Sequence, residues 1–134
     1  MRKIDKIILH CSATKEGQHF TTADIDNWHR ARGFAKIGYH FVVYLDGSVH
    51  KGRDISEIGA HCLGQNKNSI GICYIGGLDK NGKPKDTRTP EQKKALISLV
   101  AELKEKYPNA TIHGHNEFAA KACPCFDVQN EFKN

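Results

Sequence analysis

The sequence contains no long run of apolar residues. Its first six residues, MRKIDK, lead directly into the short apolar segment 7–9, which is far shorter than the roughly 20 residues that a membrane-spanning helix needs. The segment is also too short for the apolar region of a secretory signal peptide. We therefore expect a protein that is synthesised in the cytoplasm without a signal peptide and makes no stable association with membranes.

Basic residues are not concentrated in any one segment. The chain has 20 Lys and Arg against 15 Asp and Glu, a formal net charge of +5 with His neutral. It lacks a basic run with interleaved aromatic residues and lacks a recognition-helix pattern, so nucleic acid is not expected as a partner. The excess of basic over acidic residues is consistent with a solvated basic surface, or with docking on an anionic polymer.

No internal repeat, linker or low-complexity tract interrupts the chain. At 134 residues and 39% hydrophobic content, it has the size and composition of one globular domain, which buries roughly two thirds of its unfolded surface. We therefore treat residues 1–134 as a single domain and expect a monomer.

Two histidines and a cysteine form a ligand set that suits zinc. Neutral imidazole and thiolate are donors that Zn²⁺ accepts, and His10, His115 and Cys123 supply them. Three protein ligands with an open fourth position are typical of hydrolytic zinc sites, whereas structural sites usually have four. The spacing matches no short zinc-finger pattern. Alternation along a strand would also place His113 on the same side as His115, so His113 remains an alternative ligand.

The five cysteines are an odd number in a chain with no evident export signal. Reduced thiols are therefore expected in place of a disulfide framework. Apart from Cys123, they are interpreted as packing or surface residues: Cys11, Cys62, Cys73 and Cys125. Cys11 should face away from His10 into the core, whereas Cys125 is a second thiol that could compete for a metal.

Three segments of the sequence predict strands. Residues 4–9 suit a buried strand that delivers His10 at its C-terminal end. Residues 69–75 suit another, in which Gly71 permits a close approach by a neighbouring group. Alternation in the short segment 111–115 predicts a third.

A hairpin is predicted in the first half of the chain. Residues 39–45 and 48–51 flank the dipeptide Asp46-Gly47, which best tolerates the positive φ values of a two-residue type I′ turn. Residues 76–88 are rich in Gly, Lys and Asp and are predicted to form an exposed loop.

Two helices have clear start and stop signals. Thr21 or Thr22 is expected to cap the first, which should end by Gly33. The sequence of residues 89–92 predicts a capping box with proline at the first helical position, and Pro108 marks the end of that helix. A short terminal helix is also expected. Strands alternating with helices predict an α/β fold with a single central mixed β-sheet flanked by helices.

Five blocks of sequence follow one another along nearly the whole chain: IILHCSAT (7–14), GYHFVV (38–43), DGSVHKGRD (46–54), NSIGICYIGG (68–77) and HNEFAAKACPCFD (115–127). In order and approximate spacing they resemble the zinc-dependent type 2 N-acetylmuramoyl-L-alanine amidases, above all the phage members. The resemblance to peptidoglycan recognition proteins is more distant. The resemblance to both groups implies the fold that they share.

The resemblance also implies roles for individual residues. It assigns Zn²⁺ to His10, His115 and Cys123, because the gap of seven residues before the cysteine matches the family when counted from His115 and not from His113. The phage members commonly carry a hydroxyl residue at the position of Cys125.

Catalytic and substrate-binding roles are implied in the same way. Tyr39 and Lys121 match the residues that donate to the developing oxyanion, and both side chains are hydrogen-bond donors. The segment 61–66 resembles a substrate-contacting stretch, with His61 and Asn66 as candidate binding residues. His40 is a candidate partner for a ligand ring.

The implied activity is hydrolysis of the amide between the lactyl group of N-acetylmuramic acid and L-alanine in bacterial peptidoglycan. The protein would be an endolysin of a phage or prophage, acting on the cell wall after release from the cytoplasm. The alternative is a non-catalytic peptidoglycan-binding module or a phage polymerase regulator on the same fold. Non-catalytic relatives usually lack the ligand cysteine, so the presence of Cys123 favours the enzyme.

Overall fold

A five-stranded mixed β-sheet organises the protein; the computed structural model describes residues 2–133. The strands are β1 (Lys6–Cys11), β2 (Thr14–Lys15), β3 (Phe41–Val43), β4 (Val49–Lys51), β5 (Ser69–Tyr74), β6 (Gly77–Leu78) and β7 (Thr111–Gly114), and the helices are α1 (Thr22–Ala31), α2 (Pro90–Lys106) and α3 (Val128–Glu131). The sheet order is β4-β3-β5-β1-β7.

Strand β1 lies inside the sheet, parallel to β5 on one side and to β7 on the other. Strand β3 is also parallel to β5, whereas β4 is antiparallel to β3. The predicted α/β fold with a mixed sheet is confirmed. A separate two-stranded parallel sheet joins β2 to β6. Strand β6 falls within residues 76–88, so the prediction that this whole segment is a loop was wrong at its start.

The two faces of the sheet carry different helices. Ile7, Leu9 and Cys11 of β1 belong to the large core cluster that includes the apolar stripe of α2. The packing of Cys11 in the core, expected from the sequence, is confirmed. Because successive side chains of a strand point to opposite faces, His10 faces the other side. There a smaller cluster includes Ile25 of α1 and Val42 of β3.

Helix α2 is held at its start by side-chain hydrogen bonds. Thr89 Oγ1 accepts from Gln92 N, and the Gln92 side chain accepts from Thr89 N, which is the predicted capping box. Gln92 Nε2 also donates to the carbonyls of Val43 and Ile75. The first turn of the helix is thereby tied to the sheet. At α1 the cap is Thr21, whose hydroxyl accepts from Asp24 N.

The predicted hairpin is present, but its turn differs from the predicted type. Tyr44 N donates to Ser48 O and Gly47 N donates to Tyr44 O, each at 2.9 Å. The φ angle is positive at Gly47 (85°) but not at Asp46. The loop is therefore the longer kind, a type I turn followed by a glycine in the left-handed region, and the predicted type I′ turn was wrong. Asp46 instead accepts from Ser48 N and Oγ.

Within residues 2–133, no helix has both the length and the apolar character needed to cross a membrane.

Candidate metal centre

His10, His115 and Cys123 converge at one point. The Nδ1 atoms of His10 and His115 are 3.1 Å apart, and Cys123 Sγ lies 3.8 Å from His10 Nδ1. All three donor atoms lie within 4.8 Å of one another. The predicted ligand residues, which come from opposite ends of the sequence, are thus brought together.

The donor set and its spacing fit zinc. With zinc–nitrogen bonds of about 2.0–2.1 Å and a zinc–sulfur bond of about 2.3 Å, a tetrahedral ion separates two nitrogens by about 3.3 Å and a nitrogen from the sulfur by about 3.6 Å. The two separations that involve His10, 3.1 Å to His115 Nδ1 and 3.8 Å to Cys123 Sγ, are each within about 0.2 Å of these values. Two imidazoles and one thiol are also the ligand types that zinc prefers.

Each ligand is positioned by a different element. His10 lies in β1, whose pairing with β5 and β7 fixes its backbone on both sides. His115 begins a single 3₁₀ turn immediately after β7. Cys123 lies in the loop before α3, where its Sγ accepts a hydrogen bond from Cys11 N at 3.2 Å. The next peptide is also held, because Tyr74 Oη donates to Pro124 O.

His113 does not join the site. His113 pairs with Ile8 and so lies on the sheet face that His10 shares, whereas His115 follows the end of β7 at Gly114 and begins a 3₁₀ turn. The His113 ring instead lies 2.8 Å from the Glu117 carboxylate and 2.7 Å from Thr111 Oγ1. His113 is not part of the three-residue group that could hold a metal, so His115 is the histidine of this segment that joins His10 and Cys123.

Cys125 also has other partners. Its Sγ donates to Gly77 O at 3.2 Å and lies 3.9 Å from Cys11 Sγ. It is not part of the three-residue group that could hold a metal. The backbone of Cys125 has a positive φ of 69°. The thiol of Cys125 faces Cys11 and β6.

His61 lies directly against His10. Its Nδ1 is 2.9 Å from His10 Nε2, and its Nε2 is 3.2 Å from Ser69 Oγ. Burial, followed by the charges of neighbouring groups, lowers the pKa of His61 to about 3. Burial likewise lowers the pKa of His10 well below its ordinary value. Both rings are neutral at pH 7, the state that a metal-binding imidazole requires.

Asn66 organises the loop that follows His61. Its Oδ1 accepts hydrogen bonds from the backbone N–H groups of His61 and Cys62, each at 2.9 Å. Direct contact of His61 and Asn66 with substrate stays a prediction, because these contacts are all within the protein.

Tyr39 and Lys121 flank the centre. The Tyr39 ring centroid is 5.1 Å from that of His10, and burial raises the pKa of the phenol well above its ordinary value, so the hydroxyl keeps its proton. Lys121 is exposed. After burial, its positive charge is the next cause that lowers the pKa of His115. Both side chains are donors near the metal ligands, and their catalytic roles stay predictions.

The sequence pointed to His40 as a partner for a ligand ring, but the contact belongs to His61. His40 Nδ1 accepts from Gly71 N, and its Nε2 faces the carbonyl of Glu57 and the guanidinium of Arg2. Ser69 was missed altogether. The pairing register between β1 and β5 could have indicated Ser69. Ser69 pairs with Lys6 and Gly71 pairs with Ile8, and these residues lie on the same sheet face as His10.

The mixed sheet has helices on both faces and brings two histidines and a cysteine to one point, a group that could hold a metal ion and that has the ligand types of hydrolytic sites. The chain belongs to the N-acetylmuramoyl-L-alanine amidase family Amidase_2, whose profile matches residues 1–126. This confirms the resemblance noted in the sequence, and the chain is an amidase of this family.

Known relatives agree with this assignment. The endolysin of Escherichia phage T7 is 45% identical over 125 residues, which are 93% of this chain and 83% of the relative. A peptidoglycan-recognition protein of Drosophila melanogaster is 31% identical over 105 residues, covering 78% of this chain and 57% of the relative.

Solved structures show the same fold. The endolysin of the Thermus scotoductus bacteriophage Ph2119 matches with a TM-score of 0.80 and 29% identity, covering 92% of this chain and 79% of that one. The amidase LysC of Clostridium intestinale matches with a TM-score of 0.79 and 29% identity, covering 92% and 77%. The predicted fold class, shared by amidases and peptidoglycan recognition proteins, is confirmed.

Proposed function

We propose that this chain is a zinc-dependent endolysin of a phage or prophage. It hydrolyses the amide between the lactyl group of N-acetylmuramic acid and L-alanine in bacterial peptidoglycan, with zinc held by His10, His115 and Cys123. One observation carries the zinc dependence: three donor atoms of the types that zinc binds lie within 4.8 Å of one another. Membership of the amidase family supports the choice of bond.

When bound, zinc would supply an activated water nucleophile at neutral pH and would polarise the scissile carbonyl as a Lewis acid. The protein's task at the ligands is to keep two imidazoles neutral and one thiol available. Burial of His10, which leaves 1% of the residue exposed, serves this end because it disfavours the protonated ring.

Tyr39 and Lys121 are suited to stabilise the oxyanion that develops at the carbonyl oxygen. The Tyr39 phenol retains its proton. The Lys121 ammonium brings a positive charge, which contributes to lowering the pKa of His115. Donors that meet charge only as it develops lower the barrier more than they strengthen substrate binding.

The loop 61–66 is proposed to form part of the substrate groove. Asn66 fixes its backbone, and Leu63 is 96% exposed in the same loop. The net charge of +5 would assist docking on an anionic cell wall. The protein would act there after its release from the cytoplasm.

A digest of purified peptidoglycan tests the proposal. Hydrolysis at the proposed bond releases N-terminal alanine amines without new reducing sugars. The zinc-loaded protein should produce such amines, and the protein treated with a chelator should not. New reducing ends in place of amines would contradict the proposed bond, and undiminished release after chelation would contradict the proposed zinc. Binding to the wall without any release would favour the non-catalytic alternative.

A further inference from the structure

His61 is buried behind a proposed metal ligand and is fully engaged there. Only 8% of the residue is exposed. One ring nitrogen lies 2.9 Å from His10 Nε2 and the other lies 3.2 Å from Ser69 Oγ. With both nitrogens occupied inside the protein, the ring has no free polar atom to offer to a substrate.

The direction of these hydrogen bonds follows from the metal site. Nδ1 of His10 faces His115 and Cys123, so this is the nitrogen that must be unprotonated to bind an ion. A neutral imidazole has a hydrogen on only one of its two ring nitrogens. In His10 this hydrogen must then be on Nε2. His10 Nε2 therefore donates to His61 Nδ1, and His61 Nε2 in turn donates to Ser69 Oγ.

The protein is built to accept the His61 ring at this place. A Cβ atom on Gly71 would lie 2.6 Å from the ring, and one on Gly59 would lie 2.7 Å from it. Gly71 lies in β5, between two neighbouring strands, where glycine weakens a strand and usually marks a close approach. The backbone of His61 is fixed as well, because its N–H donates to Asn66 Oδ1.

We propose that His61 is a positioning residue for the metal centre: it accepts a hydrogen bond from His10 Nε2 and holds the His10 ring with Nδ1 toward His115 and Cys123. The inference rests on the proposed function, because it requires a metal at these three residues. A hydrogen bond to the far nitrogen of a ligand histidine fixes its tautomer and orientation and raises its basicity. Losing such a partner typically weakens metal binding by about 10- to 100-fold.

Two substitutions of similar shape separate this role from simple packing. His61→Asn keeps an acceptor oxygen close to the position of Nδ1, whereas His61→Leu has nearly the same outline and no acceptor. Zinc affinity is measured by competition with a chromophoric chelator, and the coordination geometry by the visible spectrum of the cobalt-substituted protein. His61→Leu should bind zinc about 10- to 100-fold more weakly than the wild type, with an altered cobalt spectrum. His61→Asn should recover most of the affinity and the wild-type spectrum.

The matched control is the same pair of substitutions at His50, which is stacked on Tyr44 and contacts no proposed ligand. These variants should bind zinc as the wild type does. If His61→Leu proves too unstable to purify, Ser69→Ala removes the acceptor from the far nitrogen of His61 and should weaken zinc binding in the same direction by a smaller factor.

Three results would overturn the inference. His61→Leu could bind zinc as tightly as the wild type, His61→Asn could bind as weakly as His61→Leu, or the His61 variants could raise KM for peptidoglycan with unchanged zinc affinity. The last result would return His61 to the substrate-contact role. A wild-type protein that binds no zinc would overturn the proposed function itself, and the two failures are thereby distinguishable.

Discussion

Cys123 brings the one sulfur donor to a site otherwise made of imidazoles. It is held by the N–H of Cys11, next to the ligand His10. Cys125, two residues further on, faces Gly77 and Cys11 instead. The two thiols of one loop therefore have different surroundings, and this difference can be tested directly.

Cys123→Ser is expected to lose zinc and amidase activity together, because a hydroxyl is a much poorer zinc ligand than a thiolate. Zinc content by elemental analysis and alanine-amine release from peptidoglycan would measure both. Cys125→Ser is the matched control in the same loop and should retain zinc and activity. Zinc retained by Cys123→Ser, or lost only by Cys125→Ser, would contradict the ligand assignment.

Lys121→Ala is expected to keep zinc and to lose much of the rate. Removal of one oxyanion donor commonly lowers kcat by about a hundredfold or more. Steady-state kinetics on peptidoglycan, paired with zinc analysis of the same preparation, would measure the two effects separately. Lys94→Ala, an exposed lysine on α2, is the control and should leave kcat unchanged. Full activity in purified Lys121→Ala would remove Lys121 from the mechanism.

At the scale of elements, α2 was the easiest to predict because its signals are local. The cap, the proline at the first helical position and the apolar stripe all lie within the helix or next to it. Thr89 does more than cap, because its hydroxyl also donates to Leu45 O in the hairpin. The helix start and the hairpin turn are thus joined through one side chain.

Thr89→Ala is expected to lower the free energy of unfolding by about 1–2 kcal/mol, because it removes the cap from Gln92 N and the bond to Leu45. Thr89→Ser keeps the hydroxyl and should lose much less. Urea unfolding followed by circular dichroism measures both variants. Equal stability of Thr89→Ala and the wild type would show that the cap contributes nothing.

Features that depend on distant partners were harder to predict. The turn after Tyr44 was also predicted wrongly, although its contacts are local: Asp46 accepts hydrogen bonds from Ser48, and only Gly47 takes a positive φ. Strands β2 and β6 are two residues each and exist only because they pair across 63 positions of sequence. No local pattern of two residues can indicate such a pairing.

In the candidate site, the residue types could be predicted from the sequence, but some of their contacts could not. The ligand residues could be named from their types together with a family resemblance, because their donor chemistry suits zinc. The contact between His61 and His10 could not, since it depends on the register between β1 and β5 and on the space left by Gly71. His113 was a rival ligand by residue type and alternation, and only the contacts of its ring with Thr111 and Glu117 separate it from the site.

For the whole molecule, the buried side chains of the large core include none of the metal ligands, although the half-buried Cys123 packs against this core. Sheet and α2 pack through aliphatic side chains on the face opposite to His10. The smaller cluster on the other face likewise contains none of the three ligands. Both cores are therefore built from side chains that do not bind the metal.

Removal of zinc by a chelator is expected to abolish activity and leave the fold largely intact. The melting temperature should fall only by the amount that loss of a bound ligand causes. Circular dichroism and amidase assays on one sample, before and after chelation, check this, with zinc added back to restore activity. Unfolding on chelation would instead indicate a structural zinc, as in small domains that fold only with metal.

X-ray absorption at the zinc edge of the loaded protein tests the central claim most directly, because it reports the ligand types and distances around the ion. We predict two nitrogen ligands at about 2.0–2.1 Å, one sulfur at about 2.3 Å and one light ligand completing four-coordination. In Cys123→Ser the sulfur contribution should vanish. A shell with no sulfur, or with two sulfurs, would contradict the site formed by His10, His115 and Cys123.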